Sequence, residues 1–218
     1  MPWGVFMKSL FITFEGIDGC GKSTQIKILK ERLDKIGIQT TITREPGGTP
    51  IGEKIRKILL SPQNSDMCYE CEVLLYLSAR AQHVHQKILP ELKSGKIVLC
   101  DRFYDATIAY QGYGRNVNLK TLSLINKFAT KGLIPSISFY IDIDVETAFL
   151  RIKKDNKSLD RLEQSSKDFY EKVRKGYLCL ARSNKKRIMV LDGNKTIKEI
   201  SELVYKTVMK RLSNKDLS

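Results

Sequence analysis

Apolar residues recur along this chain with two periods. Short runs of apolar and β-branched residues at 8–15 (KSLFITFE), 38–45 (IQTTITRE), 96–101 (KIVLCD), 136–143 (SISFYIDI) and 187–192 (RIMVLD) predict five strands. Between them the spacing lengthens to three or four. Ile26, Leu29, Leu33 and Ile36 predict a helix over 22–37, stopped by Gly37. PGGTPIG reads as a loop before a short helix from about Glu53 to Leu60. A long helical pattern from Asp66 to Lys93 runs through Leu74, Leu75, Leu77, Ala81 and Val84. Helices are also expected over 119–130, over 144–152 with Asp144 as the cap, up to about Arg182, and from about Thr196. KKDNKSLDRLE (153–163) is polar without a period and reads as a loop. Strands alternating with helices imply an α/β fold, a five-stranded parallel sheet covered by helices on both faces.

Composition narrows the class. With 218 residues, 42% hydrophobic and 28% charged, the chain suits one domain with a sizeable core, or a domain with an inserted lid. The net charge of +14 fits small anionic substrates, nucleic acid or a membrane surface, and equally a lysine-rich surface with no partner. The lysines are spread along every segment, with no basic block or aromatic platform, so no nucleic acid is expected. No run approaches the roughly 18 apolar residues of a membrane span, and none is expected. The N-terminal stretch lacks the features of a signal peptide. The odd set Cys20, Cys68, Cys71, Cys100 and Cys179 suggests reduced thiols and a cytoplasmic setting. Cys68 and Cys71 form a CxxC that is either two packing cysteines at a helix start or half of a zinc site with His83 and His85.

The candidate chemistry begins with GIDGCGKST (16–24), which fits GxxxxGK(S/T) between a strand and a helix. A strand brings such a loop to the sheet edge, and the helix N-terminus offers unpaired N–H groups to phosphate. Gly16, Ile17, Asp18, Gly19, Cys20, Gly21, Lys22, Ser23 and Thr24 are therefore expected to bind a nucleoside triphosphate. Lys22 would bridge its outer phosphates and Ser23 would ligate Mg²⁺. No NKxD segment for guanine occurs, and a chain this short with the loop near its start suggests a small kinase.

Asp101, at the end of the third strand, is placed to join the Mg²⁺ shell. Arg102 beside it would take a second anion, such as an acceptor phosphate; the alternative is an Asp–Arg pair that merely caps the strand. Tyr76 and Arg80 share a helix face, either as a base-stacking ring with an edge-reading guanidinium or as a surface pair.

Five segments, FEGIDGCGKST, TREPGGTPIGEKIR, LLYLSARAQHV, VLCDRFYDATIAYQGYGR and LDRLEQ, occur in an order that resembles the bacterial thymidylate kinases from Lys8 to about Leu212. The resemblance implies a single P-loop kinase domain over 8–212, a three-layer α/β/α fold with a short lid at about 153–163, and an N-terminal extension at 1–7. It implies transfer of the ATP γ-phosphate to dTMP, giving dTDP and ADP for dTTP synthesis, with Mg²⁺. It implies Tyr76 stacked on thymine and Arg80 on a thymine carbonyl. Thr107 and Gln111 would line the base and sugar pocket, with Tyr110 under the deoxyribose. Arg56 and Arg102 would clamp the dTMP phosphate, Asp18 would face the sugar 3′-OH, and Glu45 would sit near the reacting phosphates. It also implies a homodimer. A kinase of another monophosphate, such as dUMP, remains the neighbouring reading.

The phosphate loop carries no arginine, so the transition-state cation is expected from the lid. There Arg161 in LDRLE matches the family, with Arg151 the second candidate and Lys153, Lys154 and Lys157 at positions often held by arginine. LDGNKT (191–196) is expected beside the adenine or is a plain turn.

Overall fold

The computed structural model describes residues 9–154 and 160–213. The expected extension at 1–7 and Lys157 of the expected lid lie outside them. Five strands, β1 (Phe11–Glu15), β2 (Thr40–Arg44), β3 (Ile97–Asp101), β4 (Ile137–Asp142) and β5 (Ile188–Asp192), form one sheet in the order β2-β3-β1-β4-β5. Every pairing is parallel, with Phe14 opposite Asp101 on one side of β1 and Phe139 on the other. The central β1 and β3 are apolar and buried on both faces, as a covered parallel sheet requires.

Alternation along β1 divides the core between the two faces. Phe11 joins Val84, Ile88, Val98, Cys100 and Phe103. Ile12 and Phe14 join a larger cluster holding Ile26, Leu29 and Leu33 of α1 (Lys22–Asp34). The three layers expected from the sequence are present.

Element edges moved where capping decides them. The helix expected from Glu53 is α2 (Pro50–Leu60), because the Thr49 side chain accepts from the Gly52 N–H at 3.0 Å and Pro50 fits the first turn. The pattern over 66–93 is α3 (Tyr69–His83), a π-helical turn (Val84–Ile88) and α4 (Leu89–Lys93). Asp144 caps α7 (Val145–Lys154) as expected, accepting from the Thr147 N–H at 2.8 Å.

One helical segment carried no sequence signal. After β3 the chain forms α5 (Tyr104–Thr107) and a π-helical stretch (Ile108–Gly114) before α6 (Leu119–Ala129). Residues 105–112 are all buried, so this segment has no polar face and no amphipathic period to read. It packs beside α8 (Lys167–Ser183), and α9 (Ile197–Ser213) closes the chain against α1.

Candidate active site

The site lies at the carboxyl edge of the sheet, where the chain leaves central β1 and neighbouring β3, the place where open α/β sheets bind ligands. Gly16 has φ 134, and a Cβ there would stand 2.6 Å from the Ile141 carbonyl oxygen, so only glycine lets the loop turn so close to β4. Gly21, at φ 98, opens α1 in the left-handed region.

Lys22 is buried beneath this loop. Its Nζ donates to the Gly16 and Ile17 carbonyls at 3.1 Å each and stands 3.9 Å from Asp18. Gly16 and Ile17 thus anchor Lys22 rather than face the cleft, whereas Asp18 through Thr24 line a cleft of about 800 Å³. Ser23 Oγ donates to Asp101 Oδ2 at 3.0 Å. Among the described residues no three His, Cys, Asp or Glu side chains cluster to hold a metal. The Ser23–Asp101 oxygens nevertheless fit Mg²⁺, which takes one or two protein oxygens and completes its shell with water and phosphate.

A second, narrow pocket opens beside the cleft, lined by Tyr76, Arg80, Thr107, Tyr110 and Gln111 among others. Asp18, Glu45, Arg56 and Arg102 line both spaces. Arg102 is a non-glycine residue at φ 69, a conformation that costs about 1 kcal/mol. Its guanidinium donates to the Gly16 carbonyl and to Asp18, each at 2.8 Å, and to the Tyr177 hydroxyl at 3.3 Å. Burial would raise the Asp18 carboxyl, but Arg102 and Lys22 outweigh it and hold it down at about 2. Tyr110 lies against Arg102, its ring centroid 4.9 Å from the guanidinium carbon. Its buried hydroxyl finds no partner among the described residues, as a group awaiting a ligand would.

Arg80 is 2% exposed and spends four N–H groups inside the protein. It donates to Glu45 Oε2, Thr107 Oγ1 and Asn126 Oδ1 at 2.7 Å each, and to the Phe103 carbonyl at 3.1 Å. Of the five donors in a guanidinium, one on Nη2 is left for the pocket. The surface-pair alternative for Tyr76 and Arg80 is therefore set aside. Burial works against the Glu45 carboxylate, but Arg80 and His83 more than offset it and lower its pKa. Arg56 donates to the Pro46 carbonyl at 2.9 Å, makes no other hydrogen bond among the described residues, and lines both spaces.

Two expectations need correction. Arg161 does not face the phosphate loop. Its Nε donates to the Leu59 carbonyl at 2.8 Å and its Nη2 to Glu72 at 2.6 Å, because α2 and α3 offer it an uncapped carbonyl and a buried carboxylate. Arg151 lines the cleft instead, 3.5 Å from the Gly19 carbonyl and 3.2 Å from that of Gly193, which brings the LDGNKT turn to the same cleft. Cys68 and Cys71 do not pack: both are exposed at the start of α3, while His83 is buried between Glu45 and Thr43. Of the lid lysines, Lys153 is exposed on the last turn of α7, which continues two residues into the expected loop.

Sequence reading also missed three residues. Glu72 receives Arg161 and Gln111, and Asp160 lines the second pocket. Glu15 accepts from the Phe103 N–H at 2.8 Å and from the Tyr177 hydroxyl at 3.1 Å beneath Arg102. A carboxylate closing the strand before the phosphate loop was the one available signal for Glu15; the others depend on distant segments.

Residues 14–204 match the family model described as thymidylate kinase. A thymidylate kinase of Pelotomaculum thermopropionicum is 47% identical over 204 residues, covering 94% of this chain and 93% of the relative. One of Caldanaerobacter subterraneus subsp. tengcongensis is 46% identical over 202 residues, covering 93% and 96%. One of Enterococcus faecalis is 43% identical over 207 residues, covering 94% and 98%. With a phosphate loop, a second pocket sharing its rim and these matches over nearly the whole length, the chain belongs to the thymidylate kinase family.

Proposed function

We propose that the chain transfers the γ-phosphoryl group of ATP to dTMP, giving dTDP and ADP, a step toward dTTP. The observation that carries this reading is the shared rim. Two spaces, one built on a phosphate loop and one on an aromatic and amide-lined slot, meet at Asp18, Glu45, Arg56 and Arg102. A donor phosphate in one and an acceptor phosphate in the other would face each other across two arginines.

An acceptor phosphate oxygen forms a bond to the γ-phosphorus as the bond from that phosphorus to the β-phosphate oxygen breaks. The electron pair leaves with ADP. Little covalent chemistry falls to the protein, which aligns two anions and offsets their repulsion. Lys22 exchanges its loop carbonyls for the donor phosphates, and Arg56 and Arg102 take the acceptor phosphate. Arg151, 3.5 Å from the Gly19 carbonyl, supplies a further cation beside the loop. Ser23 and Asp101 would hold Mg²⁺, which would supply charge neutralisation for the donor phosphates. Tyr76 offers a ring to the base, Arg80 its last N–H to a base carbonyl, and Tyr110 packs where a 2′-OH would project.

Exposed apolar side chains on α3 (Tyr69, Leu74) and α6 (Leu119, Leu124, Phe128) supply a surface for a homodimer, with Phe128 86% exposed. The reading includes one kinase domain over 8–212 in the cytoplasm. No helix among the described residues is long and apolar enough to cross a membrane.

An ADP-release assay with Mg·ATP against dTMP, dUMP, UMP, dCMP, dGMP and AMP tests the reading. Turnover centred on dTMP, with dUMP weaker, is expected. Preference for any other acceptor overturns the assignment of the pocket.

A further inference from the structure

Glu72 is fully buried in the first turn of α3, one helical turn before Tyr76, and the phosphoryl-transfer steps make no use of it. Its Oε1 accepts from Gln111 Nε2 at 2.8 Å, and its Oε2 accepts from Arg161 Nη2 at 2.6 Å, with Arg115 Nη2 at 3.6 Å. A carboxylate between two guanidiniums only accepts. Turning the Gln111 amide over would set its carbonyl oxygen about where Nε2 now stands, facing a carboxylate oxygen with no proton between them. The amide is therefore held one way round. Its Oε1 accepts from no described residue, and Gln111 lines the acceptor pocket.

The geometry points to Glu72 as a positioning residue for base selection: by fixing the Gln111 amide it makes the pocket present an acceptor beside the donor left on Arg80. That pattern suits a base edge with a ring N–H next to a carbonyl, the imide edge of thymine and uracil. Cytosine presents a ring acceptor next to an amino donor and is mismatched at both positions. The inference rests on the reading of a pyrimidine monophosphate as acceptor and deepens it, because selection is traced to a residue that does not touch the base. Arg161 belongs to this arrangement: it holds the second Glu72 oxygen and so keeps the first aimed at Gln111.

The test is Glu72→Gln, which keeps the shape but can donate, so that Gln111 becomes free to turn over. The kcat and KM for dTMP and for dCMP are measured with ATP saturating, together with the melting temperature. The ratio of kcat/KM for dTMP over dCMP falls about tenfold or more, chiefly through a higher KM for dTMP, while the KM for ATP holds. The swapped pair Glu72→Gln with Gln111→Glu restores an acceptor-only group at the pocket and recovers the ratio. A purely structural role predicts neither the fall nor the recovery. If Glu72→Gln fails to fold, the swapped pair decides alone: a near wild-type ratio supports the inference and a lost ratio overturns it. A wild-type enzyme active on dTMP whose ratio is unmoved in folded Glu72→Gln removes Glu72 alone. A wild-type enzyme inactive on dTMP removes the acceptor reading and this inference together.

Discussion

Replacing Arg80 by methionine tests whether a buried polar knot, rather than apolar contact alone, joins the two halves of the site. Methionine retains much of the stem's volume and deletes every donor. Four acceptors lose their partner: the Glu45 carboxylate, Thr107 Oγ1, Asn126 Oδ1 and the Phe103 carbonyl. Thr107 carries its own hydroxyl proton and recovers by rotation, but the Glu45 carboxylate cannot, since it is 5% exposed and keeps only His83. Stranding one partner of a buried ion pair costs about 3–5 kcal/mol, a large part of the ~5–15 kcal/mol that holds a domain folded. Equilibrium urea unfolding should show a loss in that range with the slope unchanged. The double variant Glu45→Gln with Arg80→Met removes the stranded charge and should unfold later than Arg80→Met alone. A loss below about 1 kcal/mol for Arg80→Met, or a double variant no more stable than the single, refutes the reasoning.

Other expectations follow from the same geometry. Arg102→Ala should lower kcat/KM about a thousandfold with the fold intact. Arg102→Gly should be equally inactive yet at least as stable, because φ 69 suits glycine; near wild-type turnover in either removes Arg102 from the chemistry. Arg151→Ala should raise the KM for ATP and lower kcat, whereas Arg161→Ala should raise the KM for dTMP and spare that for ATP. The opposite pattern would return Arg161 to the transition state. Glu91 is held at about 2, against an ordinary value of 4.5, chiefly by hydrogen bonds from Lys96 and Lys87. Its stabilising contribution is full above pH 4.5 and is lost as pH falls through about 2, since the unfolded chain takes up the proton first. Glu91→Gln should therefore flatten the acid limb of a melting-temperature profile in that window, and an unchanged limb would count against the pairing.

The sequence by itself determined what is local. All five strands, the helices with a polar face and the phosphate loop were readable because each is specified by residues a few positions apart. Asp101 and Ser23 could be expected side by side because a strand end and a helix start converge in any sheet of this topology. Tertiary structure decided whatever depends on segments far apart in the chain. The buried helical stretch after β3 lacked a period because the fold covers every side of it. Arg161 matched its motif but found Glu72 and the Leu59 carbonyl, while Arg151, less regarded, was carried by α7 to the phosphate loop. Arg80 could be expected beside Tyr76 on one helix face, but its commitment to Glu45, Thr107 and Asn126 was not legible, since those partners lie 35, 27 and 46 residues away. Glu72 could not be told from any other helix-start carboxylate until the chain closed around it. Hydropathy and spacing record which residues leave water and which neighbours share a face. They do not record which buried donor meets which acceptor, and in a low-dielectric interior that pairing sets the orientation, charge and use of each group.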